Sequence, residues 1–214
     1  AIKVVLYGAM SSLGSALMAE MLRRQHEVIA ILDELTALAP RPGLRTQTGD
    51  LFDAERVKQS IAGCSAVICL LDAPGLPFNS EHVERSIVPG PVEQVLAVDA
   101  LVDGLQAAGI SRLFLVGDFA LLDDPEIEDQ LQRHAAEEIR EALQSSPLLW
   151  TLVDAPRGVA GLTIEHFSQV SSSLEPGLAE PLERLSRVAT GIADELQLNL
   201  HVGEHISFVG TTPQ

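Results

Sequence analysis

The chain opens with an apolar, β-rich run, residues 2–7 (IKVVLY), that stops at Gly8. By Leu13 it has entered a helical repeat in which Leu13, Leu17 and Met21 recur every four residues, with Ala16 between them. The turn that joins the two reads Gly8-Ala9-Met10-Ser11-Ser12-Leu13-Gly14. A strand that passes into a helix within so few residues constrains the fold more than any other feature of the sequence. Gly8 permits the tight turn, and Gly14, lacking a Cβ, lets the helix lie close on the strand. The helix N-terminus then offers N–H groups and a partial positive charge, the electrostatic complement of a pyrophosphate.

The same alternation continues along the chain. Residues 27–32 (EVIAIL), 44–48, 65–71 (SAVICLL), 112–116 (RLFLV) and 148–153 (LLWTLV) read as strands, and 205–209 (HISFV) as a closing strand. The almost wholly apolar 65–71 run suits a strand buried on both faces, as in a parallel sheet. Helical periods fall between them. Val57 and Ile61 follow an N-cap at Asp53, and Val95, Val98, Val102 and Leu105 share one face of a helix over 92–108. Ile127, Leu131, Ala135, Ile139 and Leu143 predict a helix over 127–144, and Leu182, Leu185, Ala189, Ile192 and Leu196 a last one. The expected architecture is α/β and Rossmann-like: a doubly wound, mostly parallel sheet flanked by helices on both faces. Pro and Gly mark loops at 40–43 and from Asp72 to about Pro91. No inter-domain linker interrupts the pattern, so residues 1–214 read as one domain, with a short substrate segment at about 154–177.

Charge narrows the function classes. The net charge is −16, which repels phosphate backbones and anionic lipid and so argues against nucleic-acid or membrane-surface partners. No apolar stretch approaches the roughly 20 residues needed to span a bilayer, and the apolar run Val4 to Met10 is a short candidate for a secretory signal, broken by Gly8. The two cysteines, Cys64 and Cys69, imply no disulfide framework. A reducing, cytoplasmic setting is expected.

These segments resemble the atypical short-chain dehydrogenase/reductase family, in particular its small members similar to nucleoside-diphosphate-sugar epimerases, NmrA-type regulators and biliverdin/flavin reductases. The resemblance rests on VVLYGAMSSLGSALMAEMLRRQHEVIAIL from Val4, on GDL at 49–51, and on AGCSAVICLL at 62–71. GISRLFLVGD at 109–118 and WTLVDAPRG at 150–158 extend it. It implies that Gly8, Met10, Ser11, Ser12, Leu13 and Gly14 form a dinucleotide-binding turn. The family's usual turn is Gly-x-x-Gly-x-x-Gly, and here the middle glycine is Ser11, whose side chain crowds an approaching pyrophosphate or donates its hydroxyl to it. The resemblance assigns Asp33, at the end of the second strand, to a ribose 2′-hydroxyl. A carboxylate there repels a 2′-phosphate and favours NAD over NADP; the bland alternative is a solvated loop aspartate. It further implies that Asp50 and Leu51 hold the adenine ring and that Leu71 and Asp72 pass beneath the cofactor. Pairing of two copies through the helices at 92–108 and 127–144 is implied as well.

One family feature is missing. Its standard chemistry uses a tyrosine and a lysine four residues later, whereas this chain has one tyrosine, Tyr7, in the first strand, and only Lys3 and Lys58. The 127–144 helix carries His134 and Glu138 at that spacing instead, a candidate acid/base pair or a solvated helix-edge pair. Asp118, where the family often has Ser or Thr, accepts a hydrogen bond but cannot donate one to a carbonyl when ionised. Arg157 is a candidate for an anionic substrate or for a structural salt bridge. His201-Val-Gly-Glu204-His205 has the spacing of a zinc motif, but Gly203 and the following ISFV point to a turn into a strand, so no metal is expected. Three readings follow: an NAD-dependent oxidoreductase with an unorthodox or cofactor-only site, acting on a small molecule that the sequence does not name; a non-catalytic NAD(P)-sensing regulator of NmrA type; or a Rossmann scaffold without cofactor that serves as an interaction module.

Overall fold

In the computed structural model, which describes residues 2–78, 88–157, 160–168 and 176–208, β1 (Lys3–Tyr7) is buried from its second residue onward. Two consecutive strands add to one side of it, β2 (Glu27–Leu32) and β3 (Leu44–Thr48), and four to the other, β4 (Ala66–Leu70), β5 (Arg112–Gly117), β6 (Leu149–Asp154) and β7 (Glu204–Ile206). The sheet order is β3-β2-β1-β4-β5-β6-β7, and every neighbouring pair is parallel. The strand order reverses between β1 and β4, the point at which open α/β sheets leave a crevice for ligands.

Among the described residues, six helices cover the sheet: α1 (Ser12–Arg23), α2 (Ala54–Ile61), α3 (Pro91–Ala108), α4 (Gln130–Gln144), α5 (Ile164–Ser168) and α6 (Ala179–Leu198). They pack in two groups, α1 with α5 and α6, and α2 with α3 with α4. One buried cluster runs through sheet and helices, from Val4 and Leu6 through Phe114 to Ile192. Burial of a single aliphatic side chain stabilises a fold by about 1.5–3 kcal/mol, so this core dominates the stability. The connection β6–α6–β7 steps across the sheet in the direction opposite to β1–α1–β2, yet α6 packs beside α1. The two crossovers therefore have opposite hands, against a strong general preference for the right-handed form.

The helix expected over 127–144 begins later, at Gln130. The Asp129 side chain accepts the Gln132 N–H and caps it, and the Arg133 guanidinium binds the carbonyls of Leu121, Asp124 and Ile127. These bonds hold Ile127 outside the helix. Its buried face is Ala135, Ala136, Ile139 and Leu143, and Leu131 is exposed. The helix read from Leu182 begins three residues earlier, at Ala179. Of the expected loop 72–91, residues 79–87 lie outside the described residues, as do 158–159 and 169–175 of the segment 154–177 and Val209 of the closing strand.

β7 is short, and polar contacts bind it to the sheet edge. Gly203 N–H donates to the Trp150 carbonyl, and the Thr151 hydroxyl to the His201 carbonyl. His205 faces Asp154 through Nε2 at 2.5 Å and Asp123 through Nδ1 at 3.2 Å. The hydrogen bond to Asp154, with the charges of Asp154 and Asp123, raises the His205 pKa above the ordinary 6.5. The folded chain thus keeps this proton to a higher pH than the unfolded chain. The stabilisation is complete below 6.5 and is lost as pH rises through the raised value. Accordingly, the melting temperature of the unmodified chain should fall between pH 6 and pH 9 by more than that of His205→Gln. Parallel pH profiles for the two proteins would show that this pair does not hold the edge.

Candidate functional site

The glycine turn is built around the contact between α1 and β1. Gly8 has φ +109°, a region favouring glycine, and a Cβ there would stand 2.7 Å from the Leu70 Cβ. At Gly14 a Cβ would meet the Gly8 carbonyl oxygen at 2.2 Å, so any side chain would force the helix off the strand. Ser11 is the N-cap. Its hydroxyl oxygen accepts the Gly14 N–H at 2.9 Å, and its proton goes to the Gly8 carbonyl, also at 2.9 Å. Of the two alternatives for Ser11, crowding a pyrophosphate or donating to it, the second would require a hydroxyl that is committed to the backbone. Ser12 is buried, and its Oγ accepts the N–H of Leu162, far along the chain.

A cleft of about 210 Å³ opens on this first turn. Met10, Ser11, Ser12 and Leu13 form one wall, and Asp72, Pro156 and Gly161 lie opposite. Asp72 is exposed, yet the protein mass around it lifts its carboxyl above the usual range, and Asp118 adds to the shift. Asp118 is raised in the same way, first by desolvation and then by Asp129 and Asp154, with Arg157 opposing. The ends of β4, β5 and β6 thus carry Asp72, Asp118 and Asp154 in succession, and the cleft is electronegative on that side. Arg157 is exposed, and its carbonyl accepts from Arg184.

The other predicted positions are arranged differently. Leu71 is buried and its N–H joins the Val116 carbonyl. Asp50 turns back, its carboxylate accepting the Phe52 N–H at 2.9 Å. Leu51 is fully buried, so its side chain belongs to the core and only its backbone remains to face an adenine. That backbone is already engaged: the Leu51 N–H donates to the Pro77 carbonyl at 2.7 Å, and the Asp33 N–H to the Gly75 carbonyl at 3.4 Å. The segment Pro74–Phe78 lies across the ends of β2 and β3, with Gly75 against Met10 and the Phe78 ring 4.6 Å from that of Phe52. The first turn of α1 thus faces an open cleft, while the ends of β2 and β3 are covered by the chain itself. The Pro74-Gly75 pair, with Pro77 two residues on, marks a turn in the sequence, but nothing in it shows where the loop lies.

His134 is not brought to the cleft. Its side chain is 74% exposed and pairs with Glu138 at 3.1 Å, the solvated helix-edge arrangement. Tyr7 is fully buried, and burial drives its phenol far above its ordinary pKa, so it is no acid or base. His201 pairs with Glu195 at 2.7 Å and His205 with Asp154, each on its own carboxylate. Among the described residues, no group of three or more His, Cys, Asp or Glu side chains is arranged to hold a metal ion.

Residues 8–166 match the profile of a family described as NAD(P)H-binding. No curated protein matches the sequence. Among solved structures, the chain is similar to an oxidoreductase from Lactococcus lactis at 14% identity and TM-score 0.66, over 96% of this chain and 90% of the other. It is similar to a Rossmann-fold NAD(P)-binding family protein from Shigella flexneri at 14% identity and TM-score 0.62, over 100% and 98%. A wide-type short-chain dehydrogenase/reductase from Veillonella parvula, solved in complex with NADP, aligns at 13% identity and TM-score 0.64, over 96% and 93%. At these identities the likeness is one of fold.

The cap and the close contact make separable predictions. Ser11→Ala should cost about 0.5–2 kcal/mol in chemical denaturation and Ser11→Gly only a few tenths. Gly14→Ala should cost about 1–3 kcal/mol or more by overpacking. If Gly14→Ala is neutral, the helix does not rest on the Gly8 carbonyl.

Proposed function

The chain belongs to the NAD(P)H-binding family, on the atypical short-chain dehydrogenase/reductase pattern, and from that membership we propose that it is an oxidoreductase that binds NAD across the C-terminal edge of its sheet. The observation that carries this reading is the turn at the switch point, where Gly8 and Gly14 leave no room for side chains and the first turn of α1 faces an open cleft. The pyrophosphate lies on that first turn, held by backbone N–H groups and the helix charge. Asp33 accepts the ribose 2′-hydroxyl and disfavours a 2′-phosphate, which selects NAD over NADP. Bound nicotinamide supplies the hydride chemistry. No tyrosine–lysine pair assists it, since Tyr7 is sealed in the core.

Asp118 borders the substrate side as a hydrogen-bond acceptor, and its acidic neighbours disfavour anionic substrates. His134 receives no role. The segment 154–177 contributes the wall at Pro156 and Gly161 and is assigned to the substrate. The free cysteines Cys64 and Cys69 suit a cytoplasmic setting; among the described residues, no helix is long and apolar enough to cross a membrane. Val92 and Leu96 on α3 and Leu131 on α4 are exposed apolar residues on the helices assigned to a homodimer. A second reading, a sensor of NmrA type that binds NAD without turnover, is favoured by the glycine turn being retained where the tyrosine–lysine pair is missing.

Thermal unfolding with NAD, NADH, NADP and NADPH tests the binding. A ligand specific to the native state adds about 2.7 kcal/mol of stability at a hundredfold excess over its dissociation constant. NAD or NADH should raise the midpoint, and Asp33→Arg should shift the preference toward NADP or NADPH. No shift with any of the four leaves only the scaffold reading. Oxidation of NADH with a flavin, quinone or aldehyde then separates enzyme from sensor: binding without turnover supports the sensor.

A further inference from the structure

We propose that Pro74–Phe78 is a strap that closes the adenosine half of the site, so that a dinucleotide binds only when the strap lifts; this inference rests on the NAD-binding reading above. The strap uses the backbone donors at the ends of β2 and β3. Asp33 N–H is taken by the Gly75 carbonyl and Leu51 N–H by the Pro77 carbonyl. These donors stand beside the carboxylate assigned to the ribose and on the residue assigned to the adenine. The two carbonyls hold the place where a bound nucleoside would present its own acceptors, and occupation by one excludes the other.

Packing fixes the strap in register. A Cβ on Gly75 would lie 3.1 Å from the Met10 Cγ and 3.6 Å from an Asp33 carboxylate oxygen, so the glycine lies against both the turn and the ribose ligand. Leu76 and Pro77 are buried, and Phe78 pairs with Phe52 at 4.6 Å. The pyrophosphate side stays open: a cleft runs along Met10 to Leu13, and of the strap only its first residue, Pro74, borders it. The site is therefore half open and half closed. Ligands lacking adenosine meet an accessible turn, whereas AMP and NADH must first displace the strap. Apparent affinity falls by the fraction of molecules in which it is lifted.

A reversible lock tests this. In the double variant Met10→Cys, Gly75→Cys the two Cβ atoms stand about 3.3 Å apart, just short of the usual disulfide range, and the native Cys64 and Cys69 are buried. Binding of NADH, AMP and nicotinamide mononucleotide is measured by calorimetry on the oxidised and the reduced form, so that any effect of the substitutions themselves cancels. Oxidation should weaken NADH and AMP at least tenfold and leave nicotinamide mononucleotide unchanged, with recovery on reduction. Phe78→Ala, which frees the strap, should tighten NADH severalfold over the unmodified chain. Equal NADH affinity in both redox states and in Phe78→Ala overturns the strap and leaves the NAD reading standing. A uniform loss of all three ligands on oxidation also overturns it, since the lock would then be distorting the turn. Failure of NADH to bind any form, Phe78→Ala included, overturns both inferences.

Discussion

The approach of α1 to the end of β1 is the contact on which the site depends. A hypothetical Cβ on Gly14 at 2.2 Å from the Gly8 carbonyl oxygen measures how little space separates helix and turn. That closeness aims the first helical turn at the crevice between β1 and β4. It also lets the Ser11 hydroxyl bond both the Gly8 carbonyl and the Gly14 N–H. The serine is therefore a cap within the turn's own hydrogen-bond circuit. Its cost to an incoming phosphate is the bulk of one Cβ and a hydroxyl already satisfied. Selection for helix stability and selection for anion binding act on the same atoms, and here the backbone has taken the side chain.

The polar groups along the C-terminal edge divide the crevice into two environments. Toward β2 and β3 the donors are backbone N–H groups, and the chain's own carbonyls satisfy them. Toward β4, β5 and β6 the edge is carboxylates, Asp72, Asp118 and Asp154; desolvation, and then the charge of acidic neighbours, raises the pKa of Asp72 and of Asp118. A buried network of opposite character stabilises the far end of the sheet. There Arg112 bonds Asn199 and the Leu149 carbonyl, lies 4.1 Å over the Phe114 ring and faces the buried Glu195 at 3.6 Å. Desolvation brings the guanidinium pKa down to about 10 despite that carboxylate. The charges at that end are committed to structure, whereas Asp72 and Asp118 remain exposed.

Much of the fold was legible because parallel strands buried on both faces leave near-continuous apolar runs, and SAVICLL and RLFLV have no other economical placement. Gly8 and Gly14 were legible for the same local reason. What escaped was non-local. Leu51 follows a strand as an adenine-binding residue would, yet its side chain is core and its N–H is spent on Pro77. His134 and Glu138 had the right spacing on the wrong face, since the buried side of α4 is set by Ala135, Ala136 and Ile139. His205, read as half of a false zinc motif, instead secures an edge strand to Asp154. Helical spacing states which residues share a face; it does not state which face meets the crevice.

The opposite hand of the β6–α6–β7 crossover carries a consequence for how the crevice comes into being. To place α6 beside α1, the chain leaving β6 runs past the glycine turn, and on the way Leu162 donates to Ser12 across 150 residues of sequence. The turn is synthesised some 150 residues before the wall that covers it. Contacts of such separation raise contact order and slow folding. During translation the nucleotide-facing surface of α1 therefore waits, with its glycine turn formed and one side open to water, until most of the sheet has been laid down.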